Sequence, residues 1–374
     1  MKPRPASVRA AGLPRSAIRE IMALAAGKPD VIHLEVGEPD AATPLPIIES
    51  AFDAARQGWT RYAPNAGLPS LRKKVAARAK VGEERIVITT GAVGGLFSAL
   101  MSVLDPGDEL LIPDPGWPNY AAIAHLAGAT AVRFACPAAS GFVPDMDEIR
   151  RLTTPKTKAI LINTPGNPTG ALFAARLMRD LVAHVRSNGL YLVSDEVYED
   201  MVFEGEHVSA GSFGADENVF IVSGASKSYA MTGWRLGWLV CPHELAGVAA
   251  ALQEPTTSCA STISQKAAEA ALDGGDQAAR ELRATFKRRR DLVVEVLGKF
   301  MPVVPAGAFY ALVDISRTGQ DSLAFCKRLL AEKSVAAVPG ITFGPLSDRY
   351  IRIAFTINDA ALRKGLERIA QQLQ

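Results

Sequence analysis

The chain has 374 residues, 48% hydrophobic and 21% charged, with a formal net charge of +2. That near balance offers no basic field for nucleic acid or an anionic membrane, and no apolar run approaches the ~18 residues of a membrane span. Four cysteines (Cys136, Cys241, Cys259, Cys326) lie apart, with no C-x-x-C pair and no histidine cluster at metal spacing. Reduced thiols in a cytoplasmic protein, and no metal site, are the expectation.

After a Pro/Arg-rich start, apolar spacing predicts a helix over residues 16–26 and a strand over 31–34. The Gly37-Glu-Pro-Asp40 turn follows by its glycine and proline content. Residues 45–56 have helical spacing, and Pro69 opens a second helix behind the turn at Asn65-Ala-Gly. Residues 85–90 read as a strand. Gly91-Ala-Val-Gly-Gly95 then opens a helix to about Val103, and a strand, a glycine-rich turn and a helix N-terminus make a generic anion cradle. Further short apolar runs occupy residues 109–113, 130–134, 159–163, 190–193 and 219–222. Beyond Trp238 the pattern turns helical: residues 242–253, 261–273 and 277–300, the last with a basic side that reads as a solvated face. A compact α+β piece closes the chain, with strands expected at 307–313, 335–339 and 350–354 and helices at 322–332 and 359–373. Strands alternating with helices as far as residue 240 argue a doubly wound α/β fold whose ligand lies at the strand C-terminal ends.

Several side chains at those ends carry chemistry. Lys227 sits among small residues just past a strand and eight positions before Arg235. Desolvated beside another cation, such a lysine has its pKa drawn down towards a nucleophilic amine. Arg235 offers a planar fork suited to phosphate. Thr164-Pro-Gly-Asn-Pro-Thr-Gly170 is a rigid turn presenting one amide, Asn167. Asp195 closes an apolar run, where a carboxylate is costly unless a cation pairs with it. Arg352 alternates with Ile351 and Ile353 and therefore points off the opposite face of a buried strand.

The stretch from Ser223 to Trp238, S-x-x-S-K-x-x-x-x-x-G-W-R-x-G, resembles the cofactor segment of the class I/II (fold type I) aminotransferases, notably the aspartate aminotransferase-like members. The resemblance implies pyridoxal 5′-phosphate (PLP), with Lys227 as its Schiff-base lysine and Arg235 on its phosphate. It extends along the chain. Gly37 would touch substrate at the active-site mouth. Tyr62, in a Y-x-P-x-x-G-x-x-x-L-R element, would cross a homodimer interface to the second copy's phosphate. Ala92 and Val93 would bind phosphate through their backbone, with Ser226 beside them; relatives often carry Lys, Ser or Thr where Val93 stands. Trp117, in P-x-W-x-x-Y, would stack on the pyridine ring. Asn167 would hydrogen-bond both cofactor and substrate carboxylate, Asp195 would keep the ring nitrogen protonated, Tyr198 would bond the phenolic oxygen, and Arg352 would clamp the substrate α-carboxylate.

The implied fold is a large domain over residues 45–280, built on a mainly parallel seven-stranded sheet, and a small α+β domain from residues 1–44 and 281–374. The implied reaction is ping-pong transfer of an amino group from an L-amino acid to a 2-oxo acid. A PLP-dependent C–S β-lyase on the same fold is the alternative. No motif assigns a cation for a distal carboxylate, and Met101 falls about where some aspartate-specific relatives place a lysine, so donor and acceptor stay open.

Overall fold

Ala159-Ile-Leu-Ile162 is apolar at every position, the mark of a strand covered on both faces. In the computed structural model, which describes residues 6–13, 17–214 and 217–374, all four side chains are fully buried. The strands in chain order are β1 (Ile32–His33), β2 (Ile86–Thr89), β3 (Glu109–Asp114), β4 (Thr130–Ala135), β5 (Thr157–Asn163) and β6 (Tyr191–Asp195). They continue as β7 (Val219–Gly224), β8 (Gly237–Val240), β9 (Tyr310–Asp314), β10 (Val335–Ala336), β11 (Val338–Pro339) and β12 (Tyr350–Ala354).

Seven of them form one sheet in the order β2-β8-β7-β6-β5-β3-β4. Its pairs are parallel except those made by β8, which runs antiparallel to both neighbours. Strand β8 is assigned to no element in the sequence, where the helical pattern begins at residue 242. It is held because Gly237 pairs with Thr89 of β2 on one side and Gly224 of β7 on the other. An antiparallel strand begins where its parallel neighbours end, so the residues just before Gly237, Arg235 among them, arrive at the sheet's C-terminal edge. Apolar clusters cover both faces, one around Leu96, Tyr120 and Val222, the other around Phe134, Ile160 and Leu181.

The C-terminal segment adds an antiparallel sheet, β11-β12-β9, and β10 pairs in parallel with β1. The single strand expected over residues 335–339 is thus two, broken at Ala337 and shared between two sheets. Two further departures concern helices. The expected helix over 242–253 is a 3-10 turn, His243–Leu245, followed by Ala246–Ala251. The long Asp276–Leu297 helix does not present a wholly solvated basic side: Arg289 and Arg290 are buried. Arg289 forks onto Asp40 at 2.8 and 2.8 Å and reaches Asp359 at 3.0 Å. Arg290 donates to the Pro305 carbonyl at 2.9 Å. The expected helix start at Ser16 lies outside the described residues; the helix is described over Ala17–Ala25. The four cysteines are free thiols. Among the described residues no helix is long and apolar enough to cross a membrane.

Candidate active site

Five strand ends meet at one edge of the large sheet, and a cavity of about 470 Å³ opens there. It is lined by Gly37, Ala92, Val93, Trp117, Asn167, Asp195, Tyr198, Ser226, Lys227, Arg235 and Arg352, all of the residues singled out in the sequence except Tyr62. Tyr62 is 89% exposed and lines a separate groove with Trp59 and Cys259.

Lys227 follows β7 and its ammonium donates to the Gly37 carbonyl at 2.7 Å. The rings of Phe309 and Tyr198 lie 5.5 and 6.0 Å from it. Burial draws its pKa down from 10.5 to about 8, opposed by Glu38 and reinforced by Arg352 and Arg235. A fraction of this lysine is therefore a neutral amine at physiological pH.

Asp195, the last residue of β6, is 4% exposed. Its Oδ2 accepts the Tyr120 hydroxyl at 2.8 Å and its Oδ1 the Val197 N–H at 3.3 Å. Burial pushes the carboxyl up to about 6, a rise that the Tyr120 and Val197 hydrogen bonds restrain. The group stays ionised at neutral pH, yet it forms no ion pair among the described residues. A buried anion in that state is complementary to a ligand that brings its own cation.

Around this pair the polar groups are ordered in series. Asn163 donates its amide to the Asp195 carbonyl at 2.9 Å and accepts the Asn167 N–H at 2.7 Å. The Asn167 amide oxygen in turn accepts from Arg352 at 3.2 Å. Arg352, 3% exposed, also donates to the Glu35 carbonyl at 2.6 Å and lies 4.5 Å from the Tyr310 ring. Its buried Nε has no partner, and desolvation lowers its pKa from the ordinary value. Tyr198 and Tyr310 share a hydrogen bond of 2.9 Å between hydroxyls, and burial holds Tyr198 well above its usual pKa, so it is a neutral donor.

The anion cradle lies opposite. Gly91 opens the Gly91–Met101 helix with φ +70°, and a Cβ there would fall 2.6 Å from Arg235 Nη2. Gly237 packs against the same turn, where a Cβ would fall 2.5 Å from the Ala92 nitrogen. Free N–H groups of the first helical turn, Arg235 and the buried Ser226 hydroxyl thus converge. Trp117 stands over the cavity, edge-on to Tyr120 at 5.5 Å between centroids. Sequence reasoning assigned no role to Tyr120, Asn163 or Tyr310, although Tyr120 ends the quoted P-x-W-x-x-Y element. The acidic pair Glu196 and Glu199 lies within metal-ligating distance of His207. Those groups already bond one another, Ser194, Ser223 and Arg78.

Comparison with known proteins gives three findings. The family model for aminotransferase class I and II matches residues 29–369. The aspartate/prephenate aminotransferase of Thermus thermophilus is 38% identical over 356 residues, covering 92% of this chain and 91% of that protein. Among solved structures, the Thermus thermophilus aspartate aminotransferase with maleate superposes with a TM-score of 0.94 at 37% identity, over 99% of this chain and 100% of that one. The aromatic aminotransferase of Pyrococcus horikoshii does so with 0.89 at 35%, over 95% and 98%.

Proposed function

The chain belongs to the class I and II aminotransferase family, and on that premise we propose that it is a PLP-dependent transaminase whose cofactor is attached through Lys227. The observation that carries the reading is Asp195: an ionised, buried carboxylate near a desolvated lysine, in no ion pair among the described residues. The site fits the cofactor group by group. Asp195 matches a protonated ring nitrogen, the helix N-terminus at Ala92 and Val93 with Ser226 and Arg235 matches a phosphate, and Trp117 offers a ring face. Tyr62 of a second copy completes the phosphate site in a homodimer.

Bound there, PLP supplies a reactive carbonyl and an electron-withdrawing ring that accepts the electrons left when the substrate Cα loses its proton. The chain does the rest. Asp195, held ionised by Tyr120 and Val197, keeps the ring nitrogen protonated. Lys227, with a pKa of about 8, takes up and returns the Cα proton as general base and acid. Arg352 and Asn167 hold the substrate α-carboxylate, Arg352 through the N–H groups it now directs at Glu35 and Asn167 and the Nε that has no partner. Fixing the carboxylate and the amine fixes the Cα–H bond relative to the ring. Tyr198 supplies a neutral hydroxyl beside Lys227.

We take residues 45–280 as the cofactor-binding domain, residues 1–44 and 281–374 as the second domain, and the cytoplasm as the compartment. The test is a spectral titration of PLP-loaded protein with single amino acids, each followed by a 2-oxo acid. The expected outcome is loss of the visible band with one class of donor and its return with the oxo acid. Accumulation of pyruvate and ammonia without any oxo-acid requirement would instead establish a lyase.

A further inference from the structure

We propose that the side-chain subsite of this enzyme is apolar, taking donors with aliphatic or aromatic side chains in preference to a second carboxylate. The inference rests on the transaminase reading. With the α-carboxylate on Arg352 and the reacting nitrogen at Lys227, the remaining cavity wall selects the third substituent on Cα.

That wall comes from two helices. On Ala17–Ala25, Ile18 and Met22 lie one turn apart and line the cavity, while Ile21 and Ala25, also one turn apart, are buried in the core. The helix is tied at Glu20, which pairs with Lys327 at 2.7 Å. Across the mouth, Val93 lies in the first turn of Gly91–Met101, also lining the cavity, and remains 39% exposed. An isopropyl group in that place gives up hydrogen bonding and offers apolar area to whatever enters.

The charges nearby do not make a carboxylate site. In the transaminase reading Lys227 and Arg235 are occupied by the cofactor and Arg352 by the α-carboxylate, so none of the three is left for a distal carboxylate. Arg19 has no partner among the described residues, but it is exposed to water. Glu38, bonded by the Thr232 hydroxyl, brings a negative charge to the same mouth. An exposed arginine offset by a neighbouring anion gives a distal carboxylate little net attraction. Apolar contact, in contrast, tightens binding about fourfold for each methylene taken out of water.

Unreactive carboxylic acids test this, with binding read from the shift of the visible band of PLP-loaded protein. 4-Methylpentanoate and 3-phenylpropionate are expected to bind at least about tenfold tighter than glutarate or maleate. Met22→Asp is expected to remove that preference while acetate, which needs only the α-carboxylate clamp, binds as before. Val93→Lys is expected to move the preference towards glutarate, and Arg19→Gln to leave the wild-type order unchanged. Tighter binding of glutarate than of 4-methylpentanoate, lost in Arg19→Gln, would overturn the proposal and make Arg19 a distal-carboxylate reader. Failure of every amino acid to convert the band would instead strike at the transaminase reading itself.

Discussion

Asp195 and Lys227 place opposite signatures on the stability of the cofactor-free protein. Asp195 titrates at about 6 in the fold against an ordinary 3.8, so between those values the folded chain binds more protons than the unfolded one. Stability is therefore lost as pH rises through that window, by about 3 kcal/mol for this group alone. Lys227 titrates at about 8 against 10.5. There the unfolded chain binds more protons, and stability returns as pH rises from about 8 to 10.5. The sum is a trough between about pH 6 and 8. Asp195→Asn is expected to raise the denaturant midpoint at pH 7 while transamination falls by orders of magnitude; an unchanged midpoint would contradict the burial argument. Tyr120→Phe removes a hydrogen bond that holds the carboxyl down. Its acid-side window should shift to higher pH and its cofactor affinity fall about tenfold, read by equilibrium dialysis. Lys227, Asn167, Asp195 and Arg235 were legible because each stands in a contiguous run of distinctive residues. Tyr120 was not. Its partner Asp195 ends β6, whereas Tyr120 follows β3, two places across the sheet with β5 between them, and no local pattern encodes that meeting.

Among the elements, β8 decides where Arg235 and the turn at Gly91 meet. The sequence assigns no element to residues 237–240, because the strand is four residues long and starts with a glycine and a tryptophan. Its pairing comes from β2, far back in the chain, and from β7, across an irregular connection, and local periodicity reports neither. Gly237 is the critical position, since an added methyl would meet the Ala92 backbone rather than a flexible side chain. Gly237→Ala is expected to destabilise the fold by about 1–3 kcal/mol and to weaken PLP binding more than tenfold. Melting temperature and cofactor titration check the two effects separately. The buried Arg289 and Arg290 escaped the sequence reading for a similar reason: their acceptors, Asp40 and the Pro305 carbonyl, lie outside the helix that carries them.

At the scale of the molecule, residues 35–43 tie the two parts of the chain together. Arg352 of β12 donates to the Glu35 carbonyl, Lys227 to that of Gly37, Arg289 to Asp40, and the Thr43 hydroxyl to the Ala230 carbonyl. The same segment therefore contacts both Arg352 and Lys227, which couples the C-terminal sheet to the large one. The α/β alternation that predicts this architecture was legible because parallel strands are apolar throughout. Assembly was expected only through the resemblance around Tyr62, since scattered exposed residues such as Phe52 and Tyr62 carry no local pattern of their own. If Tyr62 serves a second copy, Tyr62→Ala and Lys227→Ala chains, each nearly inactive alone, should regain activity when co-expressed, because one site of each mixed dimer is intact. Activity no greater than that of the separate variants would place Tyr62 outside any shared site.

The central claim is that Lys227 carries the cofactor, and borohydride reduction of PLP-loaded protein followed by peptide mass mapping tests it most directly. The expected result is a phosphopyridoxyl group on the peptide containing Lys227 and on no other. A reduced cofactor found on a different lysine, or cofactor bound firmly with every lysine unmodified, would contradict the account.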